Sequence, residues 1–174
     1  MEEYTEQLKK MEDHKLIDLV KNYRQYDYDE ELRAVAIGIL NDRGITREML
    51  QLTGGLENTT YNHAENLYYS FSKNSKIAFI LYGVLLLISI VQSVLGSDMD
   101  SPILVISIAS WGILIAYLVF LIRSFASQNQ FYKTINENYD AEGALLYFFV
   151  GMPFYVFMYF YFRNQMKEKM KRIV

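Results

Sequence analysis

The chain has 174 residues, no cysteine, a formal net charge of −3 at pH 7 and 52% hydrophobic residues. The absence of cysteine excludes disulfides and thiolate chemistry, and an acidic polar region without a stripe of lysine and arginine argues against a nucleic-acid partner. Residues 1–75 carry 9 basic and 14 acidic side chains, whereas the remaining 99 residues carry 8 basic and 6 acidic ones. The chain is therefore predicted to have an acidic, polar N-terminal part and an apolar remainder.

The N-terminal residues are predicted to form short helices. Apolar residues recur at mixed spacings of three and four over residues 4–20, which is typical of an amphipathic helix. Asp29 is a suitable N-cap for a second helix over residues 30–42, because its side chain can accept a hydrogen bond from the first turn. Gly44 can end that helix in the left-handed conformation.

A third short helix is predicted from Thr46 to Leu52, with Thr46 as its N-cap. The three helices together define a cytosolic helical domain over residues 1–55. Its core is small, so we expect it to be supported by a partner, a second copy or the membrane face.

One stretch of this domain is similar to a segment of known proteins. The run from Tyr26 to Thr46 has an acidic cap, an alanine-containing apolar face and the sequence Arg43-Gly44-Ile45-Thr46. It resembles a short helical hairpin that is attached to membrane segments in uncharacterised bacterial membrane proteins and ends in Arg-Gly-Ile/Leu-Thr/Ser. The resemblance implies a bacterial origin, and it implies no functional family, catalytic residue or cofactor.

Residues 56–76 connect this domain to the apolar part of the chain. From residue 58 onward they lack proline and glycine, and their aromatic residues are spaced for one helical face, which favours a connecting helix. Several asparagines favour the alternative, a flexible polar linker. In either form Lys73 and Lys76 are expected to lie at the lipid phosphates as interface anchors.

Two uncharged stretches follow, residues 77–95 and 103–122. Each approaches the length of about 20 apolar residues that a helix needs to cross a hydrocarbon core of about 30 Å. Because the connection between them is short, we predict an antiparallel transmembrane hairpin over residues 77–122. The first partner that the sequence predicts is therefore the lipid bilayer.

The second stretch carries small residues suited to close helix packing. Gly112 and Ala116 form a small-xxx-small pair that lets helix backbones approach, and Ser107 and Ala109 lie on the preceding turns. The partner helix is either the first stretch or another subunit, and packing within the chain is the preferred reading. Trp111 lies near the midplane, so we expect it to pack against protein rather than at the headgroups.

The connection between the two stretches sets the predicted orientation. Asp98 and Asp100 lie there without a basic residue, which indicates the non-cytoplasmic side under the positive-inside rule. The N-terminus and residues 123–143 are then cytosolic, and the aromatic residues of that segment predict an interfacial amphipathic helix. The expected location is the inner, or cytoplasmic, membrane of a bacterial cell.

A third membrane segment is predicted at residues 144–162, followed by a basic tail that includes Arg163 and Lys167 as further interface anchors. Gly151 and Pro153 lie near its middle, where proline removes a backbone hydrogen bond and kinks a helix. Two readings remain open. A kinked full crossing either places the basic tail outside the cell, against the positive-inside rule, or requires the reverse orientation with residues 1–75 translocated. A re-entrant or in-plane helix keeps both chain ends in the cytosol.

The sequence offers no catalytic or metal-binding pattern. His14 and His63 are far apart in sequence and have no neighbouring ligand, so no metal or cofactor is expected. The acids Glu137, Asp140 and Glu142 precede the third segment, and a solvated loop is their expected setting. No charged residue lies within the three apolar segments, so the usual mark of a proton relay is also missing. We therefore expect a non-enzymatic protein.

The sequence as a whole predicts an all-α integral membrane protein with a cytosolic helical domain, a transmembrane hairpin and a third kinked or re-entrant aromatic helix. The expected function is a membrane-anchored interaction or scaffold protein in a homo- or hetero-oligomeric complex, with itself or another protein as partner. The alternative is an oligomeric pore gated by the cytosolic domain, for example in stress or phage defence. The polar residues expected to face such a lumen are Ser89, Gln92, Ser107 and Ser110.

Overall fold

The computed structural model describes residues 2–95, 102–136 and 151–173, and the regular structure within these ranges is entirely helical. The predicted all-α class is confirmed for the described part of the chain. Asp98 and Asp100, on which the predicted orientation rests, and Glu137, Asp140 and Glu142 lie outside the described residues. The helices are α1 Glu2–Lys9, α2 Asp13–Asn22, α3 Glu30–Asp42, α4 Arg47–Leu52, α5 Thr59–Leu95, α6 Pro102–Thr134 and α7 Gly151–Met170.

The chain divides into two compact units. The N-terminal unit comprises residues 2–62 together with 170–173, and the C-terminal unit comprises the described residues between 63 and 169. The N-terminal unit thus extends beyond residue 55 and takes in the end of the basic tail. Two features attach the end of the tail to this unit: the side-chain amide of Gln25 donates to the Lys171 carbonyl at 2.9 Å, and Ile173 is buried.

The core of the N-terminal unit is built from aliphatic residues of α1 to α4 and the segment after them. Its fully buried centre holds Leu16, Val20, Ala36 and Leu40, none of which is accessible to solvent. The remaining buried members are Leu8, Leu19, Ile39, Leu50 and Leu56.

The predicted helix over residues 4–20 is two helices, α1 and α2. Hydrogen bonds of the three-residue type, from Lys10 N to Gln7 O and from Met11 N to Leu8 O, end α1, and Glu12 has an extended backbone before α2. The apolar spacing did not reveal this break because it continues across both helices. The change of direction lets α1 add its own leucine to the core.

The predicted caps of the next two helices are confirmed. The Asp29 carboxylate accepts a hydrogen bond from Leu32 N at 2.7 Å, and the Thr46 hydroxyl accepts one from Met49 N at 3.4 Å. Gly44 has φ +85°, a left-handed conformation that residues with a Cβ adopt at a cost. These local signals fix the ends of α3 and the start of α4.

Removing an aspartate is expected to destabilise the fold at the start of α3 and not at its end. Asp29→Ala deletes the cap bond and should lower the free energy of unfolding by about 0.5–2 kcal/mol. Asp42→Ala removes an acid from the last turn, where the helix dipole disfavours it, and should leave stability unchanged or slightly raised. Thermal unfolding of the two variants tests this, and equal destabilisation by both would contradict the assigned cap.

The segment after the N-terminal helices is helical from Thr59 onward, so the connecting-helix reading is the one the structure adopts. Asn58 caps α5 by accepting a hydrogen bond from Tyr61 N at 2.9 Å. The helix then runs through 37 residues, about 55 Å at 1.5 Å per residue. It therefore exceeds the thickness of a hydrocarbon core.

Two helices in the described residues, α5 and α6, are long and apolar enough to cross a membrane. Residues 123–134 continue α6 without a break, whereas the sequence predicted a separate amphipathic segment there. The continuation arises because nothing between Arg123 and Thr134 breaks a helix, and its buried aromatic residues extend the face that α6 already presents.

The C-terminal unit is held together by one face of each helix. Its buried residues recur at spacings of three and four, the pattern that forms a continuous seam between packed helices. On α5 they are Tyr68, Phe71, Ser75 and Ala78; on α6 they are Tyr117, Leu121, Ser124, Gln128 and Phe131; on α7 they are Tyr155, Met158, Tyr159, Phe162 and Met166.

The contacts along this seam set the helix directions. The rings of Tyr82 and Tyr117 lie 5.9 Å apart, and the Ser127 hydroxyl donates to the Ser70 hydroxyl at 3.1 Å, so α6 is antiparallel to α5. We call the end of the unit where α5 begins and α6 ends the proximal end, and the opposite end the distal end.

Candidate functional site

A cluster of aromatic rings joins the three helices of the C-terminal unit. Tyr82, Tyr117 and Tyr155 each come from a different helix, and their ring centroids lie 5.8–6.3 Å apart. The Tyr155 and Ser75 hydroxyls are 3.0 Å apart, and the Tyr155 hydroxyl also donates to the Ser75 carbonyl at 3.2 Å. This tyrosine cluster, defined by these four residues, fixes the register of all three helices.

The chemistry available to the tyrosine cluster is limited. The Tyr117 hydroxyl is buried and makes no hydrogen bond to the described residues. The Ser75 hydroxyl contacts the Tyr155 hydroxyl, and no histidine or carboxylate of the described residues is hydrogen-bonded to it. The arrangement is suited to positioning helices.

A second group of polar residues ties α3 to the start of α5 within the N-terminal unit. Arg33 is only 8% exposed, and its guanidinium donates to the Glu30 carboxylate at 2.6 Å and to the Leu56 carbonyl at 3.0 Å. It also lies over the Tyr23 ring at 4.6 Å from the centroid, within the range of a cation–π contact. These three contacts offset part of the cost of burying the cation, whose Nε donates to none of the described residues.

The same region contains a buried pair of asparagines. The Asn58 amide donates to the Asn22 side-chain oxygen at 2.7 Å, and the Asn22 amide donates to Asp18 at 2.8 Å. With its cap bond to Tyr61, Asn58 therefore connects α2 to the first turn of α5. We call Tyr23, Glu30 and Arg33, with the pair Asn22 and Asn58, the junction cluster.

The junction cluster borders a cavity of about 180 Å³. Lys21 and Arg24 add positive charge to its lining and Glu57 adds negative charge, so it is close to balanced. No group of three metal-ligating side chains occurs among the described residues. The cluster holds the beginning of α5 firmly on the N-terminal helices.

The charge of Glu30 depends on this arrangement. A hydrogen bond from the Tyr23 hydroxyl, and then the Arg33 guanidinium, lower the pKa of Glu30 below its ordinary value. A lowered folded-state pKa contributes stability above the ordinary pKa of the group, which is lost as pH falls through the lowered value. We expect the melting temperature of Glu30→Gln to fall less than that of the wild type as pH drops from about 6 to 3. Glu31→Gln is the control, and parallel pH profiles for wild type and Glu30→Gln would refute this role.

An apolar groove lies elsewhere on the N-terminal unit, between α2 and the turn that follows it. Met11 and Leu19 supply its apolar surface, and Tyr26 and Tyr28 form one side with their ring centroids 6.0 Å apart. Both tyrosines are about half exposed, and the groove encloses about 320 Å³. The other lining residues of this α2 groove are His14, Lys15 and Asp18.

The Tyr26 hydroxyl donates to Asp18 at 2.7 Å, which fixes the ring at the edge of the groove. This hydrogen bond, with the nearby negative charge, raises the pKa of Tyr26 above its ordinary value. The ring is thus held in place while half of it remains exposed.

The small residues of α6 that were predicted to pack within the chain do not form its buried face. Gly112 and Ala109 are exposed, and a Cβ added at Gly112 would meet no atom of the described residues within 4 Å apart from its own helix. Ser107 and Ala116 are half-buried. Packing of this face on a second molecule stays a prediction. Trp111 is 67% exposed in the single chain, so its packing against protein stays a prediction that a second molecule would have to meet.

The predicted interface anchors are accessible, with one exception. Lys73, Lys76 and Lys167 are exposed, whereas Arg163 is half-buried and donates to the Tyr159 hydroxyl at 3.3 Å. A hydrogen bond with the Tyr68 hydroxyl raises the pKa of Arg163 further above its ordinary value, so the residue stays charged.

The predicted kink residues lie at the beginning of α7. Gly151 is its first residue and Pro153 falls in its first turn, where a proline displaces no intrahelical hydrogen bond. The preceding residues of the third segment lie outside the described part of the chain, so a kink before α7 stays a prediction.

Sequence reasoning missed the residues that organise both clusters. Arg33 and Asn58 stand among many charged and amide residues, and nothing in their spacing marks them as buried. The burial of Ser75, Ser124 and Gln128 could have been predicted, because each lies at a spacing of three or four within an otherwise apolar or aromatic helix face.

Comparisons with known proteins add no assignment. Neither the family models, the curated proteins nor the solved structures contain a match to this chain. The class defined by the described residues is an all-helical protein with two long apolar helices that are suited to crossing a membrane.

Proposed function

We propose that this chain is a non-enzymatic, membrane-anchored interaction protein that binds a partner protein through its N-terminal unit. Its setting in this proposal is a bacterial inner membrane, with the N-terminal unit in the cytosol. The observation that carries the proposal is the α2 groove, an apolar recess with two half-exposed tyrosines on the polar unit of the chain.

The anchor is the hairpin of α5 and α6. Large aliphatic side chains point outward along both helices, including Leu87, Ile90, Ile108 and Ile115, each at least 60% exposed. Each such side chain gains about 1.5–3 kcal/mol when it moves from water into an apolar phase. A bilayer covers all of these side chains at once, so membrane insertion is the arrangement that this surface favours.

The groove has the features of a protein-binding surface. Tyrosine is enriched at interfaces because it offers a large apolar ring and a polar tip at low entropic cost. Tyr26 is already held by Asp18, so little conformational freedom remains to be lost when a partner binds. An apolar helix or extended segment of another protein is the occupant that we propose.

Self-association through α6 is part of the proposal. The exposed face around Gly112 gives a second helix room to approach closely, as small residues do in membrane helix pairs. The alternative of an oligomeric pore has less support. The Ser89 and Ser110 hydroxyls donate to the carbonyls of Leu85 and Ile106 at 2.9 and 2.7 Å, so these side chains need no water-filled lumen.

Partner binding is tested by cross-linking in native membranes followed by quantitative mass spectrometry. Tyr26→Ser/Tyr28→Ser should reduce recovery of the specific cross-linked partner at least tenfold, on the order of 1.4 kcal/mol or more of binding free energy. Tyr4→Ser replaces another exposed tyrosine outside the groove and should recover the partner as the wild type does. Equal recovery with all three chains would refute the groove as the binding surface.

A further inference from the structure

The direction of α7 decides how the third apolar segment meets the membrane. The rings of Tyr117 and Tyr155 lie 5.8 Å apart, and further along both helices the Tyr132 hydroxyl donates to Gln165 at 2.8 Å. Helix α7 is therefore parallel to α6 and runs toward the proximal end. A third crossing that followed α6 in the usual alternation would have to run the opposite way.

The depth of α7 follows from the tyrosine cluster. Tyr82 lies five residues inside the apolar span that begins at Ile77, and Tyr117 lies five residues inside the span that ends at Ile122. The cluster is therefore about 8 Å inside the proximal edge of the hydrocarbon core. Gly151, the first residue of α7, precedes Tyr155 by four residues, or about 6 Å. The helix thus begins no deeper than about the midplane of a core about 30 Å thick.

The chain that precedes residue 144 is too short to allow a full crossing by residues 144–162. Because α7 ends at the proximal end, that segment would have to begin at the distal side. The chain between residues 136 and 144 would then have to span the whole bilayer. Eight residues reach at most about 29 Å when fully extended, less than the core itself, and α6 ends well outside the core.

The surface of α7 matches the composition of a membrane interface. Phe157, Phe160 and Tyr161 are 73%, 53% and 59% exposed, whereas the large exposed side chains deeper on α5 are aliphatic. The aromatic run ends at Arg163, Lys76 directly precedes the apolar span of α5, and Arg123 directly follows that of α6, so all three bases lie at the proximal end. Exposed aromatic rings next to bases are typical of the headgroup layer.

The end of the tail provides independent support. Beyond α7 the chain belongs to the N-terminal unit, where Gln25 donates to the Lys171 carbonyl and Ile173 is buried. The tail and the N-terminal helices are parts of one compact unit, so they lie on one side of any membrane that α5 and α6 cross.

We infer that α7 is a half-inserted helix that does not cross the bilayer, that its exposed aromatic face contacts the phospholipid headgroup layer at the proximal end, and that both chain ends lie on that side. The inference rests on the proposed membrane insertion of α5 and α6. It adds a lipid-facing surface and a topology that the proposed function does not contain.

Sidedness is tested with single cysteines in the full chain, which has none of its own. Leu52→Cys reports on the N-terminal unit and Arg172→Cys on the tail, and both positions are exposed. In sealed membrane vesicles of known orientation, a membrane-impermeant maleimide should label both from the same side. Labelling from opposite sides would overturn the inference, whereas recovery of the chain as a carbonate-soluble protein would refute the proposed membrane anchor instead.

Depth is tested by quenching of tryptophan fluorescence with lipids that carry a doxyl group at different positions. The single native Trp111 lies about 16 Å from the proximal edge, near the midplane, and should be quenched most by a 12-doxyl lipid. Trp111→Phe/Phe157→Trp should be quenched most by a 5-doxyl lipid, because residue 157 lies about 5 Å inside that edge. Strongest quenching of the variant by the 12-doxyl lipid would overturn the assigned depth.

Discussion

Replacing Tyr155 by alanine should lower the free energy of unfolding of the C-terminal unit by about 3–5 kcal/mol. Its side chain is only 1% exposed and contacts rings from both neighbouring helices. The replacement removes these contacts and both hydrogen bonds to Ser75. The cavity that it leaves lies where all three helices meet, so we expect the loss at the upper part of this range.

The contribution of the ring can be separated from that of the hydroxyl. Tyr155→Phe keeps the ring and should cost only about 1 kcal/mol, the usual net value of a hydrogen bond, plus the cost of leaving Ser75 without that partner. Phe157→Ala removes a ring that is 73% exposed and should have little effect in detergent. Unfolding in mixed micelles tests the series, and a Phe157→Ala variant less stable than Tyr155→Ala would contradict the packing described for α7.

Two arginines in the middle of α5 should largely prevent stable membrane insertion. Leu87 and Ile90 are 64% and 60% exposed on the apolar part of the helix, where lipid would surround them. Each arginine costs about 2.5–3.5 kcal/mol at the centre of a membrane helix on insertion scales. The pair Leu87→Arg/Ile90→Arg should therefore shift the chain from the carbonate-resistant membrane fraction to the soluble or degraded fraction.

The matched control places the same two charges on the N-terminal unit. Met49 and Leu52 are exposed apolar residues of α4, and Leu52 is 88% accessible. Met49→Arg/Leu52→Arg should leave the membrane fraction unchanged, because these side chains face water. Equal loss of both double variants from the membrane would point to a general folding defect.

Local signals made much of the helical architecture predictable. Asp29, Thr46 and Gly44 act through a side-chain oxygen or a left-handed backbone within a few residues, so their effects can be read directly from the sequence. The apolar spans were likewise predictable, since length and lack of charge define a candidate membrane helix. The break between α1 and α2 escaped notice because the apolar spacing continues across it.

The tertiary contacts were not predictable in the same way. The burial of Arg33 depends on a ring at Tyr23 and on the carbonyl of Leu56, which lie ten residues before it and 23 residues after it. The direction of α7 depends on pairs such as Tyr132 with Gln165, which are 33 residues apart. A single sequence contains no register between distant helices, and for this reason it left both readings of the third segment open.

The aromatic composition of the third segment did contain part of the answer. Ten of the sixteen residues from Tyr147 to Phe162 are aromatic, which favours the membrane interface over the hydrocarbon centre. Composition could not decide the direction of the helix, which follows from the contact of Tyr155 with Tyr117 together with the hydrogen bond from Tyr132 to Gln165.

In the proposed topology, α5 and α6 cross a membrane as a hairpin and the N-terminal unit lies on one side of it. The most direct measurement compares Leu52→Cys with Val94→Cys, an exposed position at the distal end of α5. In sealed, oriented vesicles, an impermeant maleimide should label the two cysteines from opposite sides of the membrane. Labelling of both cysteines from the same side would contradict the proposed transmembrane hairpin.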